Sequence, residues 1–402
     1  MLTNPSAIRI FTTTQIRVSP PLILFSMPLT GMRLTAFTDS DQVGGAEISL
    51  ANLLGALDPG IQISVMGTDE AVVRRISSTR RDASTILVPS ISGVRDLRAI
   101  QATRRALKAD QCDILHLSLS TPWACRYAIL AAASIPRIKS VAVEQLVMPL
   151  PTRRVRFLKR WSSKTLAAHI AVGRASARDL EEDADLPRGS IRTIQNGVPI
   201  PRNAQEKPPR SKTEQTNTLS DRKQIVTLAR LDHVKGLDLL QDALVELPNV
   251  YAVVLGEGPE RANLEKRSIE LGLNERFSLQ GWSDDARAIL DDADLFVLPS
   301  RAEGLPLSIC EAMFAELAVV ACDVGSVREV VDHGVTGLVV PADDSSALGD
   351  AIASLLADES LRRSMGSAGL AVATAEFTAE AMARKYEAIY SQILNSARSA
   401  KL

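Results

Sequence analysis

Two carboxylates eight positions apart, Glu303 and Glu311, are the residues of this 402-residue chain best placed to do chemistry. Between them, a Gly-Leu-Pro corner at 304–306 follows the apolar run 295–299 and opens a helical pattern. Glycine lets a ligand approach the backbone closely, and proline presets φ for a first helical turn. Free N–H groups at a helix start beside two carboxylates suit a ligand with an anionic end and several hydroxyls, such as a nucleotide sugar.

Two cations in another strand-to-helix connection could neutralise the anionic end of such a ligand. Arg230 follows the apolar run 225–229, and Lys235 stands just before the next helical pattern. Arginine can bind phosphate oxygens bidentately and lysine acts as a point charge, so the pair suits a diphosphate. A pair of solvated surface charges is the alternative interpretation.

Two glycine-containing turns could approach the same ligand. Gly44 and Gly45 precede the first helical pattern, where they could form a phosphate cradle or a tight loop that needs positive φ. Gly256 opens a Gly-Glu-Gly-Pro turn after the apolar run 250–255. That turn is a weaker signal, because strand-to-helix turns favour glycine for steric reasons.

His116 and Ser118 are candidates for the side of the site that faces an acceptor. They point to one face of the apolar run around 113–117, and Ser118 is nearer its carboxyl end. His116 is either a satisfied core histidine or a base that faces the cleft, and the sequence leaves both interpretations open.

The sequence predicts no metal and no cofactor. Asp292 and Asp294 form an Asp-x-Asp pattern, but they fall between a helix end and a buried strand, where capping and packing explain them. The four cysteines form no CxxC pair and have no histidine at metal-ligand spacing. We expect reduced thiols.

Alternating apolar and helical patterns must position these residues. Strand candidates recur at 32–37, 61–66, 113–117, 138–143, 168–172 and 191–194, and again at 224–229, 250–255, 276–279, 294–298, 318–322 and 337–340. The helical patterns between them predict an α/β fold with two Rossmann-like, doubly wound domains. The expected ligand site is the cleft between the carboxyl edges of the two sheets.

The expected domain boundaries follow changes in composition. The divisions are an N-terminal extension 1–31, a first domain 32–200, a polar linker 201–223, a second domain 224–378 and a C-terminal helix 379–402. We expect the extension to be disordered, or to precede a true start at Met32 or Met27.

Composition limits the classes of partner. With 46% hydrophobic and 23% charged residues, the chain is typical of a soluble globular protein of two domains. A net charge of −1 gives no electrostatic case for nucleic acid. No apolar run approaches the ~18 residues of a transmembrane helix, so we expect a cytoplasmic protein, or one peripheral to the inner membrane face.

A basic segment at 152–164 is the one indication of a membrane. It carries six Lys and Arg and no acids, together with Phe157, Leu158 and Trp161. A basic amphipathic helix can lie on an anionic membrane surface, and a solvated helix face is the alternative.

In combination, these motifs resemble the retaining glycosyltransferases of family four, which have the GT-B fold. Glu303, Gly304, Leu305 and Pro306 with Glu311 look like the Glu-x7-Glu motif of that family. The other matching residues are Gly44-Gly45, Asn196-Gly197-Val198, Arg230, Lys235-Gly236, Gly256 to Pro259, and Gly325 to Gly337 with Glu329. The resemblance extends from Met32 to about Ala381.

The resemblance implies a role for each matching residue. Arg230 and Lys235 would hold the donor diphosphate, and Gly44 and Gly45 would let the first domain close over it. Glu311 would bind the ribose hydroxyls and Glu303 the transferred sugar, with the N–H groups of Gly304 and Leu305 near the phosphate; Gly256 would also line the donor site. The final helix would cross back to the first domain.

The implied reaction moves a sugar from a nucleotide-diphosphate sugar to an acceptor hydroxyl with retained configuration. The acceptor would be a polysaccharide, a lipid-linked sugar or a small molecule, in cell-surface polysaccharide or glycolipid assembly. A sugar-nucleotide epimerase, a phosphorylase and a non-catalytic nucleotide-sugar binder remain alternatives. An epimerase would need no acceptor, a phosphorylase would release sugar phosphate, and a binder would release no diphosphate.

Three positions depart from the pattern of the family. Ala229 replaces the usual glycine before Arg230, and Ser326 replaces a glycine after Gly325. Ser118 stands where relatives often carry a second histidine near the reacting sugar. This last departure bears on acceptor geometry.

Overall fold

The computed structural model describes residues 29–201, 222–283 and 286–399. Most of the expected extension, most of the expected linker and the last three residues lie outside these ranges. The first described residues belong to the fold, since Gly31 N donates to Gly60 O at 2.8 Å.

The first half of the chain builds a parallel seven-stranded sheet in the order β3-β2-β1-β4-β5-β6-β7. Its strands are β1 (Arg33–Thr38), β2 (Gln62–Gly67), β3 (Ser84–Leu87), β4 (Ile114–Leu119), β5 (Lys139–Glu144), β6 (Ala168–Ala171) and β7 (Arg192–Thr193). Its helices are α1 (Gly45–Ala56), α2 (Glu70–Ser77), α3 (Leu97–Asp110), α4 (Arg126–Ala133), α5 (Arg153–Lys164) and α6 (Arg174–Asp183).

The second half builds a parallel six-stranded sheet in the order β10-β9-β8-β11-β12-β13. Its strands are β8 (Lys223–Leu228), β9 (Val250–Leu255), β10 (Phe277–Gly281), β11 (Leu295–Leu298), β12 (Val319–Cys322) and β13 (Gly337–Val340). Its helices are α7 (Leu237–Val245), α8 (Arg261–Glu270), α9 (Ala286–Asp292), α10 (Leu307–Phe314), α11 (Ser345–Ala357) and α12 (Glu359–Glu376).

Both sheets reverse their strand order beside their first strand, between β1 and β4 and between β8 and β11. Ligands of open α/β sheets bind at such a switch point, beyond the carboxyl ends of the strands. The predicted α/β fold with two Rossmann-like domains is confirmed.

The sequence interpretation omitted one unit, α2 with β3. The strand β3 has four residues at the edge of the sheet, and none of them is buried. Without a buried face, the segment shows no apolar alternation, so its pattern could not be distinguished from a loop.

The helices of the first domain form two layers. Ile114 of β4 shares a core with α1, whereas Leu115 and Leu117 pack with Ala128 and Ile129 of α4. Alternate residues of this buried strand therefore face opposite layers, as a parallel sheet requires.

The chain returns to the first domain at its C-terminal end, as predicted. Val198 and the residues around Thr378 exchange two backbone hydrogen bonds of 2.9 Å, which lead into α13 (Ala379–Ser399). Gly197 is required there, because a Cβ would overlap the carbonyl of Thr378. The helix α13 then packs on α1.

Within the described ranges, we find no helix with the length and apolar character needed to span a bilayer.

Candidate active site

Glu303 and Lys235, 68 positions apart, form an ion pair at the carboxyl edge of the second sheet. The Lys235 Nζ donates to Glu303 Oε1 at 2.7 Å, and Ser300 Oγ donates to the same oxygen at 2.7 Å. Glu303 is buried, and the lysine is partly exposed. The structure therefore joins two of the predicted catalytic residues in one cluster, in which the lysine side chain remains partly exposed.

Arg301 holds two connections together: the one between β11 and α10, which contains Glu303, and the one between β8 and α7, which contains Lys235. Its guanidinium binds both carboxylate oxygens of Asp238 at 2.7 Å, and its backbone N donates to Val234 O at 2.8 Å. The hydrogen bonds to Asp238 raise the pKa of Arg301, so it stays charged. Sequence reasoning assigned Arg301 no role; its position two residues before Glu303 was the available signal.

Arg230 lies at the edge of the same cluster. Its Nε donates to Asp232 at 2.6 Å, and its side chain is about half exposed. One oxygen of Asp232 is buried without a partner among the described residues. The guanidinium is thus oriented from one side by Asp232 and faces solvent on the other, where an anion could bind.

Glu311 lies on the second turn of α10 and carries an unpaired carboxylate. Among the described residues it has no ion pair or side-chain hydrogen bond, and burial raises its pKa to about 7. An unpaired, desolvated carboxylate favours ligands that donate hydrogen bonds to it, because they stabilise the charged form. The two hydroxyls of a ribose are donors of this kind.

This raised pKa predicts a pH dependence of donor binding. If ribose hydroxyls donate to Glu311, binding lowers its pKa, so affinity should rise about tenfold between about pH 6 and about pH 8 and then level off. Isothermal titration calorimetry with the nucleoside diphosphate measures this. Glu311→Gln should remove this part of the dependence, whereas Glu270→Gln on the exposed face of α8 should keep it. An identical pH profile in Glu311→Gln would contradict the ribose role.

Glu311→Gln should also stabilise the unliganded protein above pH 7. The raised pKa means that folding favours the protonated form, so its contribution to stability is lost as pH rises through about 7.

The loop before α1 is open rather than tight. Gly44 is the N-cap, and its N donates to Glu47 Oε2 at 3.0 Å, while Thr38 donates to the other oxygen of Glu47 at 3.3 Å. Neither Gly44 nor Gly45 has positive φ, and a Cβ on Gly45 would meet nothing within 4 Å. The fold therefore imposes no steric requirement for glycine at position 45. Space for a ligand remains the interpretation of this glycine.

Gly304 lies at a close approach of the two domains. A Cβ there would overlap the carbonyl oxygen of Gln145, which follows β5. Beside it, Asn196 Nδ2 donates to Leu305 O at 3.3 Å and to Gln145 Oε1 at 3.1 Å. The first domain therefore braces the corner whose N–H groups are expected near the donor phosphate.

A second interdomain contact joins Ser326 and Glu329 to the N-terminus of α6. Glu329 Oε1 accepts from Ala175 N at 2.9 Å, and Ser326 Oγ lies 3.3 Å from Ser176 Oγ. A Cβ on Gly173 would overlap Ser326 Oγ. The serine that replaces a usual glycine at 326 thus occupies the space that Gly173 leaves open.

This contact predicts that a disulfide between positions 176 and 326 would lock the domains together. The two hydroxyls are close enough for a Ser176→Cys/Ser326→Cys pair to oxidise with small shifts. If product release requires interdomain opening, the oxidised variant should lose at least about tenfold in turnover and recover it with reductant. Each single cysteine variant is the control. Full turnover in the oxidised protein would show that opening is not required.

Gly256 is required by packing at the ends of β8 and β9. It has φ +145°, and a Cβ would overlap the carbonyl oxygen of Ala229. Packing therefore explains why this residue is a glycine. The contact of Gly256 with a donor stays a prediction.

His116 is not on the acceptor side. It is buried, and its Nδ1 lies 2.7 Å from Tyr390 Oη of the C-terminal helix, with the ring of Tyr386 beside it. Burial lowers its pKa to about 3, so it is neutral. The core interpretation is therefore correct, and the acceptor-side expectation for His116 is wrong, because α13 covers this face of β4.

Ser118 is also buried, but its Oγ has no partner among the described residues. Its acceptor-side role stays a prediction.

The Asp-x-Asp pattern belongs to the scaffold. Asp294 accepts from Gln224 N at 3.0 Å and pairs with Arg362 at 3.5 Å, which ties the entry of β11 to β8 and α12. In the described part of the chain, no group of three or more His, Cys, Asp and Glu is arranged to hold a metal ion. The metal-free site stays a prediction.

Comparisons with known proteins agree with this architecture. A family model described as glycosyl transferases group 1 matches residues 210–371, and a model described as glycosyltransferase family 4 matches residues 43–202. The protein HepE of Anabaena, solved with UDP, superposes with a TM-score of 0.76 over 90% of this chain and 100% of its own, at 21% identity. Sucrose-phosphate synthase of Thermosynechococcus elongatus superposes with a TM-score of 0.72 over 91% and 100%, at 18% identity.

Curated relatives are more similar in sequence. A lipopolysaccharide core biosynthesis mannosyltransferase of Rhizobium leguminosarum is 32% identical over 258 residues, which cover 61% of this chain and 70% of the relative. A lipopolysaccharide core biosynthesis glycosyltransferase of Rhizobium meliloti is 32% identical over 42% of this chain and 50% of its own. In most such pairs, the match spans about half the length of the relative.

Proposed function

The chain belongs to glycosyltransferase family 4, and we propose that it transfers a sugar from a nucleotide-diphosphate sugar to an acceptor hydroxyl with retained configuration. Cell-surface polysaccharide or glycolipid assembly is the proposed context, because two of the relatives are named for lipopolysaccharide core biosynthesis.

The Lys235–Glu303 pair is the observation that carries this proposal. It places an accessible cation 2.7 Å from a buried carboxylate, next to the 304–306 corner that starts α10. A diphosphate needs the cation and the N–H groups, and a sugar needs the carboxylate.

The proposed donor site divides its work among six residues. Arg230 and Lys235 neutralise the diphosphate, and the N–H groups of Gly304 and Leu305 lie near its terminal phosphate. Glu311 binds the ribose. Glu303 exchanges its bond with Lys235 for hydroxyls of the sugar when the donor enters.

The proposed chemical step is a front-face displacement. The bond between the sugar C1 and the diphosphate oxygen breaks, and its electron pair leaves with the diphosphate. The acceptor oxygen bonds to C1 from the same face, and its proton passes to a donor phosphate oxygen. Arg230 and Lys235 stabilise the charge that develops on the leaving group, which is the role that a metal would otherwise fill.

A screen of UDP-, GDP- and ADP-sugars tests the proposal, with a thermal shift for binding and diphosphate release for transfer. We expect one nucleotide class to raise the melting temperature and to release diphosphate only when an acceptor is present. Release of sugar phosphate would indicate a phosphorylase, conversion without acceptor an epimerase, and binding without release a non-catalytic protein.

We also propose that the segment 152–164 makes the peripheral membrane contact expected from the sequence. The segment forms α5, and Phe157, Leu158 and Trp161 are exposed on it. Cations beside exposed apolar side chains support the membrane interpretation over a merely solvated face.

A further inference from the structure

A buried asparagine lies where the two domains meet. Asn196 follows β7, and its exposed fraction is 4%. Its Oδ1 accepts a hydrogen bond from Ser49 Oγ of α1 at 2.7 Å. Its Nδ2 donates to Gln145 Oε1 at 3.1 Å and to Leu305 O of the second domain at 3.3 Å. One amide therefore connects α1, the end of β5 and the 304–306 corner.

The bond to Leu305 O differs from the other two because it crosses between the domains. Ser49 and Gln145 belong to the first domain, as Asn196 does, so their bonds to it can persist when the domains separate. Among the described residues, Asn196 is the donor that we find to Leu305 O. This contact therefore requires the two domains to be together.

A purely structural asparagine would need partners in its own domain alone. An asparagine side chain offers one acceptor oxygen and two N–H groups. Ser49 and Gln145 take the oxygen and one N–H, which is enough to fix the side chain within the first domain. The second N–H is directed at the other domain, and this is the feature that a structural role leaves unexplained.

The backbone that carries Asn196 is held in place. Asn52 Nδ2 of α1 donates to Gly197 O at 3.1 Å, and a Cβ on Gly197 would overlap the carbonyl of Thr378. The helix α1 begins at Gly45, in the loop that is proposed to close over the diphosphate. Asn196, α1 and that loop therefore move as parts of one body.

Two hydrogen bonds orient the backbone of the corner. Gly304 O accepts from Ser326 N at 3.0 Å within the second domain. The peptide is trans and planar, so this bond aims the N–H of Leu305 in the opposite direction. The next peptide plane begins at Leu305 O, which Asn196 holds. The second domain thus orients one side of Leu305, and the first domain orients the other.

We propose that Asn196 is a positioning residue that couples domain closure to the orientation of the N–H groups of Gly304 and Leu305. The inference rests on the proposed function, in which these groups lie near the donor phosphate. The open protein binds the nucleotide with the corner incompletely held. Closure completes the site, so the diphosphate leaves mainly after the first domain has closed, which limits loss of the donor to water.

Asn196→Asp tests this coupling, because it removes both N–H donors and keeps the size of the side chain and the acceptor for Ser49. With the nucleotide sugar that the wild type uses, kcat should fall about tenfold, while the Kd of the nucleoside diphosphate changes less than about threefold. Steady-state kinetics and calorimetry measure the two constants. Unchanged kcat would overturn the proposal. An equal loss of kcat and affinity would also overturn it, since that result indicates a general structural defect.

The pH profile separates the loss of a hydrogen bond from a loss of packing. The introduced carboxylate faces the oxygens of Gln145 and Leu305, which favours protonation, and its protonated form has an O–H that can donate to Leu305 O. The kcat of Asn196→Asp relative to wild type should therefore rise several-fold from about pH 8 to about pH 6. A flat ratio would contradict the role of the donor.

Asn196→Ala removes the same donors without adding a charge. It should lose kcat to a similar extent, also about tenfold, but without the recovery at low pH. This variant carries the test if Asn196→Asp does not fold, which circular dichroism checks. Normal kcat in Asn196→Ala would refute the coupling.

Hydrogen exchange measures the corner directly, and Asn52→Asp is the matched control. Saturating nucleoside diphosphate should slow amide exchange in the segment 300–309 of the wild type, and much less in Asn196→Asp. Asn52→Asp makes the same change to an amide whose bond to Gly197 O stays within the first domain, so its kcat and exchange should be normal. Equal losses in the two variants would overturn the proposal.

The wild type separates this inference from the proposed function. If the wild type releases no diphosphate from any nucleotide sugar, the proposed function fails and the coupling fails with it. If the wild type is active and Asn196→Asp matches it, sugar transfer stands and the coupling alone is refuted.

Discussion

Lys235→Ala is expected to lower kcat by about 10²-fold, because it removes the cation that stabilises the leaving diphosphate in the transition state. The ground-state diphosphate keeps Arg230, so the KM for the donor should change much less. Steady-state kinetics with diphosphate release measures both constants. Near-normal turnover would refute the role of Lys235 and weaken the whole site assignment.

Lys235→Ala should also destabilise the fold, because it breaks the ion pair with Glu303. Glu303 is buried and would keep only the hydrogen bond from Ser300, so the variant should lose about 1–3 kcal/mol of unfolding free energy. Lys235→Ala/Glu303→Gln removes the orphaned charge and should recover stability without recovering kcat. If the double variant recovers both stability and kcat, the loss of kcat in Lys235→Ala was a structural effect.

Lys223→Ala is the matched control for Lys235→Ala. Lys223 begins β8, at the opposite end of the strand whose carboxyl end leads to Arg230 and Lys235, and it lies 3.8 Å from Asp294. Such a partly exposed pair contributes about 0–1 kcal/mol, so this variant should keep normal kcat.

Gly304→Ala should have the second large effect, a fall in kcat of about 10²-fold with nucleotide affinity changed much less. Its Cβ would overlap the carbonyl oxygen of Gln145 and lie 3.1 Å from Val172, so the domains could not approach as they do here. The Gln145 peptide cannot yield easily, because its N donates to Leu119 O at 2.9 Å within the sheet. A misplacement of about 1 Å at the reacting atoms is enough for such a loss.

A glycine in open space provides the control for Gly304→Ala. Gly93 has no positive φ, and a Cβ there would meet nothing within 4 Å, so Gly93→Ala should behave as wild type. Small-angle scattering of nucleotide-bound Gly304→Ala should show a larger radius of gyration than wild type. Normal kcat with normal dimensions would mean that the contact with Gln145 yields, and that closure does not depend on this glycine.

Much of the fold could be predicted because its signals are local. The runs at 250–255 and 337–340 are strands with the predicted bounds, since a strand buried on both faces must be apolar throughout. The exception, β3, lies at an edge and buries little. Where tertiary burial does not demand apolar residues, the sequence carries no pattern to find.

The residue types of the candidate donor site could be predicted from the sequence, because each motif lies within one strand-to-helix connection. Glu303 and Glu311 are held at their spacing by a single corner and one helix start, so local geometry suffices to relate them. The same holds for Arg230 and Lys235. Spacing along the chain says nothing about pairs that come from different connections.

Which of these residues meet depends on the tertiary structure. It joined Lys235 to Glu303, set Gly304 against Gln145 and fitted Ser326 to Gly173. It also removed His116 from the acceptor side, because Tyr390, 274 positions later, covers it. The physical reason is the same in each case: contacts between distant segments follow from how sheets and helices pack, and no local pattern encodes them.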